Sequence, residues 1–299
     1  MIGKNAESPQ AARRIRINNL RQVRTAMLNQ EKFTSLLLEK IQTSADSIKT
    51  QWTNPVGTNT RHFVVDDLFD LTICQSIYEA FPKDGNGFFN RESFREKKRT
   101  SADLGAYDKI LADITYAFQD KRVVDLVATV IGFEQIEPDP KLYAGGLSMM
   151  FPGDFLNPHI DNSHDGDRQR YRRLNLLYYV SPDWKIENGG NFELWDEERV
   201  NQKTLTALTN RLVVMETNKT SWHSVSQVQV NRPRCCVSNY YFSAISPDST
   251  DYFHVTSFTG RPEEKIKRIL GVVDNALRNF ASKTLKIGRG KHLVNKDKS

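Results

Sequence analysis

Apolar residues keep two different periods along this chain, and the change falls near residue 132. Before it they recur at helical spacing: Leu20, Val23 and Met27, then Phe33, Leu37 and Ile41, about one turn apart. Residues 8–49 therefore predict two helices, opened by Ser8-Pro9, a capping hydroxyl followed by a first-turn proline. Asn54-Pro55 and Gly57 break the pattern. Residues 61–69 then predict a strand running into a loop, Leu71 to Phe81 a helix stopped by Pro82, and about 107–119 and 121–131 two more helices ahead of Gly132. Between them, Gly85 to Ser101 is polar and basic and predicts a mobile loop that could serve as a lid.

After Glu137 the texture changes. Short apolar runs alternate with Gly, Pro, Asn and Asp turns, at Leu147–Phe151, Leu174–Val180, Asn191–Leu194, Arg211–Glu216 and Arg234–Ala244. Strands at this spacing without intervening helices predict an antiparallel sandwich or jelly roll. A last helix is expected at about 262–280, with Ile266, Leu270, Val273 and Leu277 on one side. The fold class is thus mostly β with flanking helices: helical support over 1–60, a β domain with its lead-in strand and helices over 61–260, and a helix with a basic tail over 261–299.

Composition narrows the function classes. A hydrophobic content of 38% and a charged content of 26% suit a globular chain with a real core. No run of about 18 apolar residues occurs and the N-terminus lacks an apolar signal core, so a cytoplasmic address without a membrane span is expected. Cys74, Cys235 and Cys236 are few and lack metal-ligand spacing, which reads as reduced packing thiols. The net charge of +6 is concentrated at the ends, in Arg13, Arg14, Arg16, Arg21 and Arg24 and in the tail beyond residue 283, so it reads as solvated termini rather than a nucleic-acid footprint.

The candidate chemistry sits in the β region. In Pro158-His159-Ile160-Asp161, the imidazole and the carboxylate are two residues apart, so on a strand both face one way. His223, sixty-four residues after His159, could complete a set of two imidazoles and one carboxylate from a neighbouring strand. That set occupies one face of a non-haem ferrous ion and leaves the others open. The His-x-Asp pair alone is weak, since chance produces one in roughly a third of such chains.

The surrounding order is more specific. Asp139-Pro140-x-Leu142 with Gly145-Gly146-Leu147 comes first, then Phe151-Pro152-Gly153 leading to His159-Ile160-Asp161-Asn162. Leu177-Tyr178-Tyr179-Val180-Ser181-Pro182-Asp183-Trp184, Gly189-Gly190 with Phe192 and Leu194, and Arg211 through His223 to Arg234 and Phe242 follow. In this order they resemble the prolyl-4-hydroxylase-like branch of the 2-oxoglutarate- and Fe(II)-dependent dioxygenases, over about a third of the chain. The resemblance implies a double-stranded β-helix core, with His159, Asp161 and His223 ligating Fe(II). It implies 2-oxoglutarate and O2 as cosubstrates and ascorbate as an accessory reductant. The reaction it implies is hydroxylation of an unactivated C–H bond, coupled to conversion of 2-oxoglutarate to succinate and CO2. The retained Asp161 separates the chain from halogenating relatives, in which that carboxylate is missing.

The far carboxylate of 2-oxoglutarate needs a cation, and arginine offers it a planar two-pronged donor. Arg234 begins a strand and matches the family's spacing to Phe242, whereas Arg232 precedes a proline in a turn. Asn175, Leu177 and Tyr179 share one strand face, and Tyr179 matches a family position that contacts the same carboxylate. Tyr178 and Tyr240 could equally be sandwich core, and Phe151 stands where relatives often carry tyrosine. His164, in a turn-like run, is expected to be solvated, His62 structural, and His254 a packing residue near the site mouth. Arg168, Arg170, Arg172 and Arg173 are expected to be mostly solvated, with one free to meet an anionic substrate. The substrate class implied is a small molecule such as an amino acid or biosynthetic intermediate, with a peptidyl-prolyl target as the alternative and a non-catalytic binding module last. No pattern specifies an oligomeric state.

Overall fold

The structure is a computed structural model describing residues 28–264, apart from Ser249, together with Arg268. The first expected helix and its arginines, and the expected C-terminal helix and basic tail, lie outside the described residues. Helices α1 (Gln30–Thr43) and α2 (Ala45–Thr53) come first. Asn29 caps α1 by accepting the Lys32 N–H at 2.9 Å, and Phe33, Leu37 and Ile41 are buried as the spacing predicts. Strand β1 (His62–Val65) and helix α3 (Leu71–Ala80) follow. Helices α4 (Lys109–Phe118) and α5 (Lys121–Ile131) start on the side chains of Asp108 and Asp120, and α5 ends at Gly132 in the left-handed region.

The segment expected to be a mobile lid is instead a hairpin, β2 (Phe89–Glu92) and β3 (Glu96–Ser101). Strand β3 pairs with β4 (Gly146–Met150) and with β5 (Phe155–Ile160), so it is part of the sheet. Its charge hid it: Arg91 and Lys98 share Glu96 against the wall and supply no apolar alternation. The remaining strands are β6 (Tyr171–Tyr179), β7 (Phe192–Trp195), β8 (Gln202–Leu205), β9 (Arg211–Glu216), β10 (His223–Val225), β11 (Arg234–Ser243) and β12 (Ser257–Phe258).

All pairings are antiparallel, in the order β1-β9-β6-β11-β4-β3-β5-β10-β7-β8, with β2 on β3 and β12 on β5. This mostly antiparallel half-barrel with a few helices is the jelly-roll core expected from the strand spacing. Side chains alternate across it. Leu174, Leu176 and Tyr178 of β6, with Leu212, Val214 and Val237, pack under the helices in one core. Tyr179, Val213, Met215 and Cys236 face inward and join Met150, Leu156, Phe192 and Leu194 in a second core inside the curled sheet. All three cysteines are free and buried. Among the described residues, no helix is long and apolar enough to cross a membrane.

Candidate active site

Strand β5 delivers His159, and Asp161 follows just past its last residue. Strand β10 opens on His223, whose Cα pairs directly with that of His159, so two imidazoles far apart in sequence stand side by side with ring centroids 4.1 Å apart. Potential ligand atoms of His159, Asp161 and His223 all lie within 4.8 Å of one another. Asp161 Oδ1 is 3.8 Å from His159 Nε2, and Asp161 Oδ2 is 3.7 Å from His223 Nε2. A metal ion about 2.1 Å from each donor needs donors spaced by about 3 to 4 Å, and both spacings fit.

The backbone sets each ring. His159 Nδ1 donates to Asn157 O at 3.0 Å and His223 Nδ1 to Ser221 O at 2.9 Å. A carbonyl can only accept, so the proton sits on Nδ1 and the Nε2 lone pair faces the triad. Burial, and then the neighbouring His223, hold the His159 pKa down to about 3, and burial lowers that of His223. Burial opposes ionisation of Asp161, but Arg172, His223 and His159 together outweigh it and keep the carboxyl well below the usual range. Two neutral imidazoles and one carboxylate are a donor set for a divalent cation. The walls are apolar: Phe258 stacks on His159 at 5.1 Å and Phe192 packs on His223 at 5.6 Å.

A further layer holds β10 in place. Trp195 Nε1 donates to Ser224 Oγ at 2.7 Å, Ser224 Oγ donates to Glu193, and Glu193 is paired with Arg261 at 2.6 Å. Residues around β12 thereby form a strap across the mouth. It is pinned at one end by Arg261 and zipped to Ile160 and His159 by β12.

The triad lines a cavity of about 350 Å³ that runs inward to Arg234. Arg234 is buried, donates from Nη1 to Gly190 O at 2.9 Å, and lies 5.1 Å from the Tyr179 ring centroid. The close approach needs glycine: a Cβ on Gly190, at φ 64°, would meet Arg234 Cδ at 3.0 Å. Registers place Asn175, Leu177 and Tyr179 of β6 opposite Tyr240, Ser238 and Cys236 of β11. Arg234 Nε, Tyr179 Oη and Asn175 Oδ1 are all buried with no hydrogen-bond partner in the protein. Their gathering around one cavity points to a bound group that supplies the missing partners.

Residues 145–242 match the family model described as the 2OG-Fe(II) oxygenase superfamily. The chain carries a 2OG-Fe(II) oxygenase domain. The fold is similar to that of a Pseudomonas putida prolyl-4-hydroxylase, at 17% identity and a TM-score of 0.49, covering 67% of this chain and 97% of the other. A structure of prolyl 4-hydroxylases from Phytophthora capsici matches at 16% identity and a TM-score of 0.48, over 82% and 75% of the two chains. HygX from Streptomyces hygroscopicus, solved with nickel, 2-oxoglutarate and hygromycin B, matches at 14% identity and a TM-score of 0.42, over 66% and 87%. No curated protein matches.

The other candidates separate. Arg232 lies outside the cavity, donating to Pro182 O and Asp183 O at 2.7 Å each and stacking on Trp184. Tyr178 turns to the helix side and donates to Asn210 Oδ1 at 2.9 Å, whereas Tyr240 lines the cavity. Phe151 packs outside, 4.0 Å from the Arg99 guanidinium. His62 opens β1 with Nδ1 donating to Thr60 O at 2.9 Å. The expectation of a solvated 163–167 turn is corrected. His164 is buried because its backbone bridges to Tyr171 and its ring packs between Tyr171 and Phe253. It stands apart from the triad. His254 stacks on Tyr252, and its neighbours Phe253 and Val255 line the cavity.

The solvated arginine run is corrected as well. Arg172 and Arg173 are buried, the first against Asp161 and Tyr240, the second on Phe133, while Arg170 is tied to Asp165 and Glu137. Sequence reasoning missed Arg172 as a site residue. Its even position in β6, shared with the helix-facing Leu174, Leu176 and Tyr178, pointed it away from the cavity, but a β-bulge between Tyr241 and Phe242 resets the register there, so Arg172 pairs with Phe242 and turns inward.

Proposed function

We propose that this oxygenase hydroxylates an unactivated C–H bond of a small molecule, with residues 61–260 as its catalytic domain. His159, Asp161 and His223 would hold Fe(II). Arg234, helped by Tyr179 and Asn175 above Leu177, would hold the far carboxylate of 2-oxoglutarate. The observation that carries this reading is one cavity with three metal donors at one point and an incompletely paired buried arginine at its inner end. Iron and cosubstrate, when bound, supply the oxidising chemistry: activation of O2 coupled to conversion of 2-oxoglutarate to succinate and CO2.

The protein's own work is orientation and exclusion of water. The Asn157 and Ser221 carbonyls fix both imidazoles as Nε2 donors. Arg172, 3.1 Å from Asp161 Oδ2, steadies the carboxylate. Phe258, Phe192 and the strap close the metal side against solvent. A cavity of about 350 Å³ behind that strap favours a small substrate over a peptide. The test is succinate release with Fe(II), ascorbate and 2-oxoglutarate, alongside calorimetric titration of the Mn(II)-loaded chain with 2-oxoglutarate. Neither turnover nor metal-dependent binding would sink the reading.

A further inference from the structure

Charge along the cavity is unbalanced. Among the described residues six cationic side chains line it, Arg91, Arg95, Lys98, Arg168, Arg172 and Arg234. Three carboxylates oppose them, Glu96, Asp161 and Asp165. Asp165 is already held at 2.8 Å by Arg170, which lies outside the lining, and Glu96 alone faces both Lys98 at 3.2 Å and Arg91 at 3.7 Å. The cofactors of the proposed reaction do not remove the excess. A ferrous ion and a 2-oxoglutarate dianion would cancel in charge, and the far carboxylate of the dianion would take Arg234. What remains is a basic outer chamber with two walls. The β2–β3 hairpin contributes Arg91, Arg95 and Lys98, and the turn before β6 and the start of β6 contribute Arg168 and Arg172.

Arg172 is the fixed point of that chamber. Its Nη1 lies 3.1 Å from Asp161 Oδ2, its Nη2 donates to Asn162 Oδ1 at 2.7 Å, and its guanidinium lies 4.1 Å from the Tyr240 ring centroid. It is 3% exposed, and its Nε has no hydrogen-bond partner. Leaving a buried charged donor unsatisfied is costly unless a ligand satisfies it. Arg168 stands on the strap side, 4.4 Å from the Phe253 ring centroid. Buried guanidinium beside the metal donors, with further cations toward the mouth, is the arrangement that draws in and seats an anion.

We infer that the substrate is itself a small anion, bearing a carboxylate or phosphate that docks on Arg172 and the rim cations and sets the adjoining C–H bond over the metal. This rests on the oxygenase reading above. The cavity must hold cosubstrate and substrate together, which keeps the substrate to a few carbons around its anionic group.

The test uses the full chain loaded anaerobically with Mn(II) and 2-oxoglutarate, and reads binding by calorimetry. The probes are short aliphatic and amino-acid carboxylates against their primary amides, and sugar phosphates against the free sugars. At least one anion should bind about tenfold or more tightly than its neutral partner, with affinity falling as salt rises. Which series wins identifies the group as carboxylate or phosphate. Arg168→Gln at the rim and Arg172→Gln at the floor should each weaken that anion about tenfold, and with Arg168→Gln the 2-oxoglutarate Kd should shift by less than about twofold. Because Arg172 also contacts Asp161, the rim variant keeps the test independent of any disturbance to the triad. No anion outbinding its neutral partner, or a preference untouched by Arg168→Gln, overturns the inference. Failure of 2-oxoglutarate itself to bind the Mn(II) chain overturns the oxygenase reading instead.

Discussion

The two faces of β6 and β11 are made of similar residues and finished differently. Toward the helices, most buried polar groups of these strands find protein partners, Asn239 Nδ2 being an exception. Tyr178 donates to Asn210, Tyr241 to the Phe118 carbonyl at 2.6 Å, and Gln119 to Asn239 at 2.7 Å. Toward the cavity, Tyr179, Asn175, Arg234 and Arg172 are as deeply buried, yet each keeps a polar atom with no partner in the protein. Each orphan costs about 1–3 kcal/mol. One side of the sheet is therefore nearly complete as a core, while the other gathers its unpartnered groups around one cavity, where a ligand would complete them. The contrast separates residues kept for stability from residues kept for binding, although both alternate along the same strands.

Breaking the cavity side should leave the helix side standing. His159→Ala, His223→Ala or Asp161→Ala should lower succinate formation by about a thousandfold or more, since each removes a donor from a three-donor set. Thermal unfolding should move little for the two histidine variants and fall for Asp161→Ala, which leaves the buried Arg172 without its carboxylate, and a variant that keeps full turnover would remove that residue from the metal site. Arg234→Ala should raise the 2-oxoglutarate KM about a hundredfold by removing a charge-assisted pair. An unchanged KM would mean that another cation holds the cosubstrate.

Much of this architecture was legible in advance, and the gaps have physical causes. Alternation along β6 and β11 announced which residues face inward, and the two-residue spacing of His159 and Asp161 put both on one side. Helices α1, α4 and α5 followed their apolar spacing to within a few residues. The β2–β3 hairpin did not, because Asn90, Arg91, Glu92, Glu96, Lys97 and Lys98 give no hydrophobic period. Strand β10, only His223 to Val225, is too short to carry one. Arg172 and Arg173 resembled a solvated run because local sequence cannot reveal a partner such as Asp161 or Phe133 that arrives from elsewhere in the fold.

Acid should strain both faces. His62, His159, His164, His223 and His254 all have pKa values lowered by burial, His159 to about 3. In the unfolded chain these rings take up protons near the ordinary value of about 6.5, while the folded rings stay neutral to lower pH. The unfolded state then binds more protons, so stability of the metal-free protein should fall as pH drops below about 6.5, by up to about 1.4 kcal/mol per pH unit for each fully buried ring. Urea midpoints measured between about pH 7.5 and 5.5, above most carboxylate titration, check this. A flat profile would mean that the rings open to solvent without metal.

The smallest effects make the sharpest contrast, because adjacent tyrosines sit on opposite faces. Tyr178→Phe removes a buried hydrogen bond to Asn210 and should cost about 1 kcal/mol of stability with the 2-oxoglutarate KM unchanged. Tyr179→Phe removes a hydroxyl that no protein group satisfies, so stability should hold or rise slightly. Its 2-oxoglutarate KM should instead rise about fivefold, the worth of one hydrogen bond to a bound carboxylate. Urea midpoints and cosubstrate titrations of the two variants separate these outcomes. If Tyr179→Phe behaves like Tyr178→Phe, losing stability and keeping KM, then the inner face is ordinary core and the division between the two sides of the sheet fails.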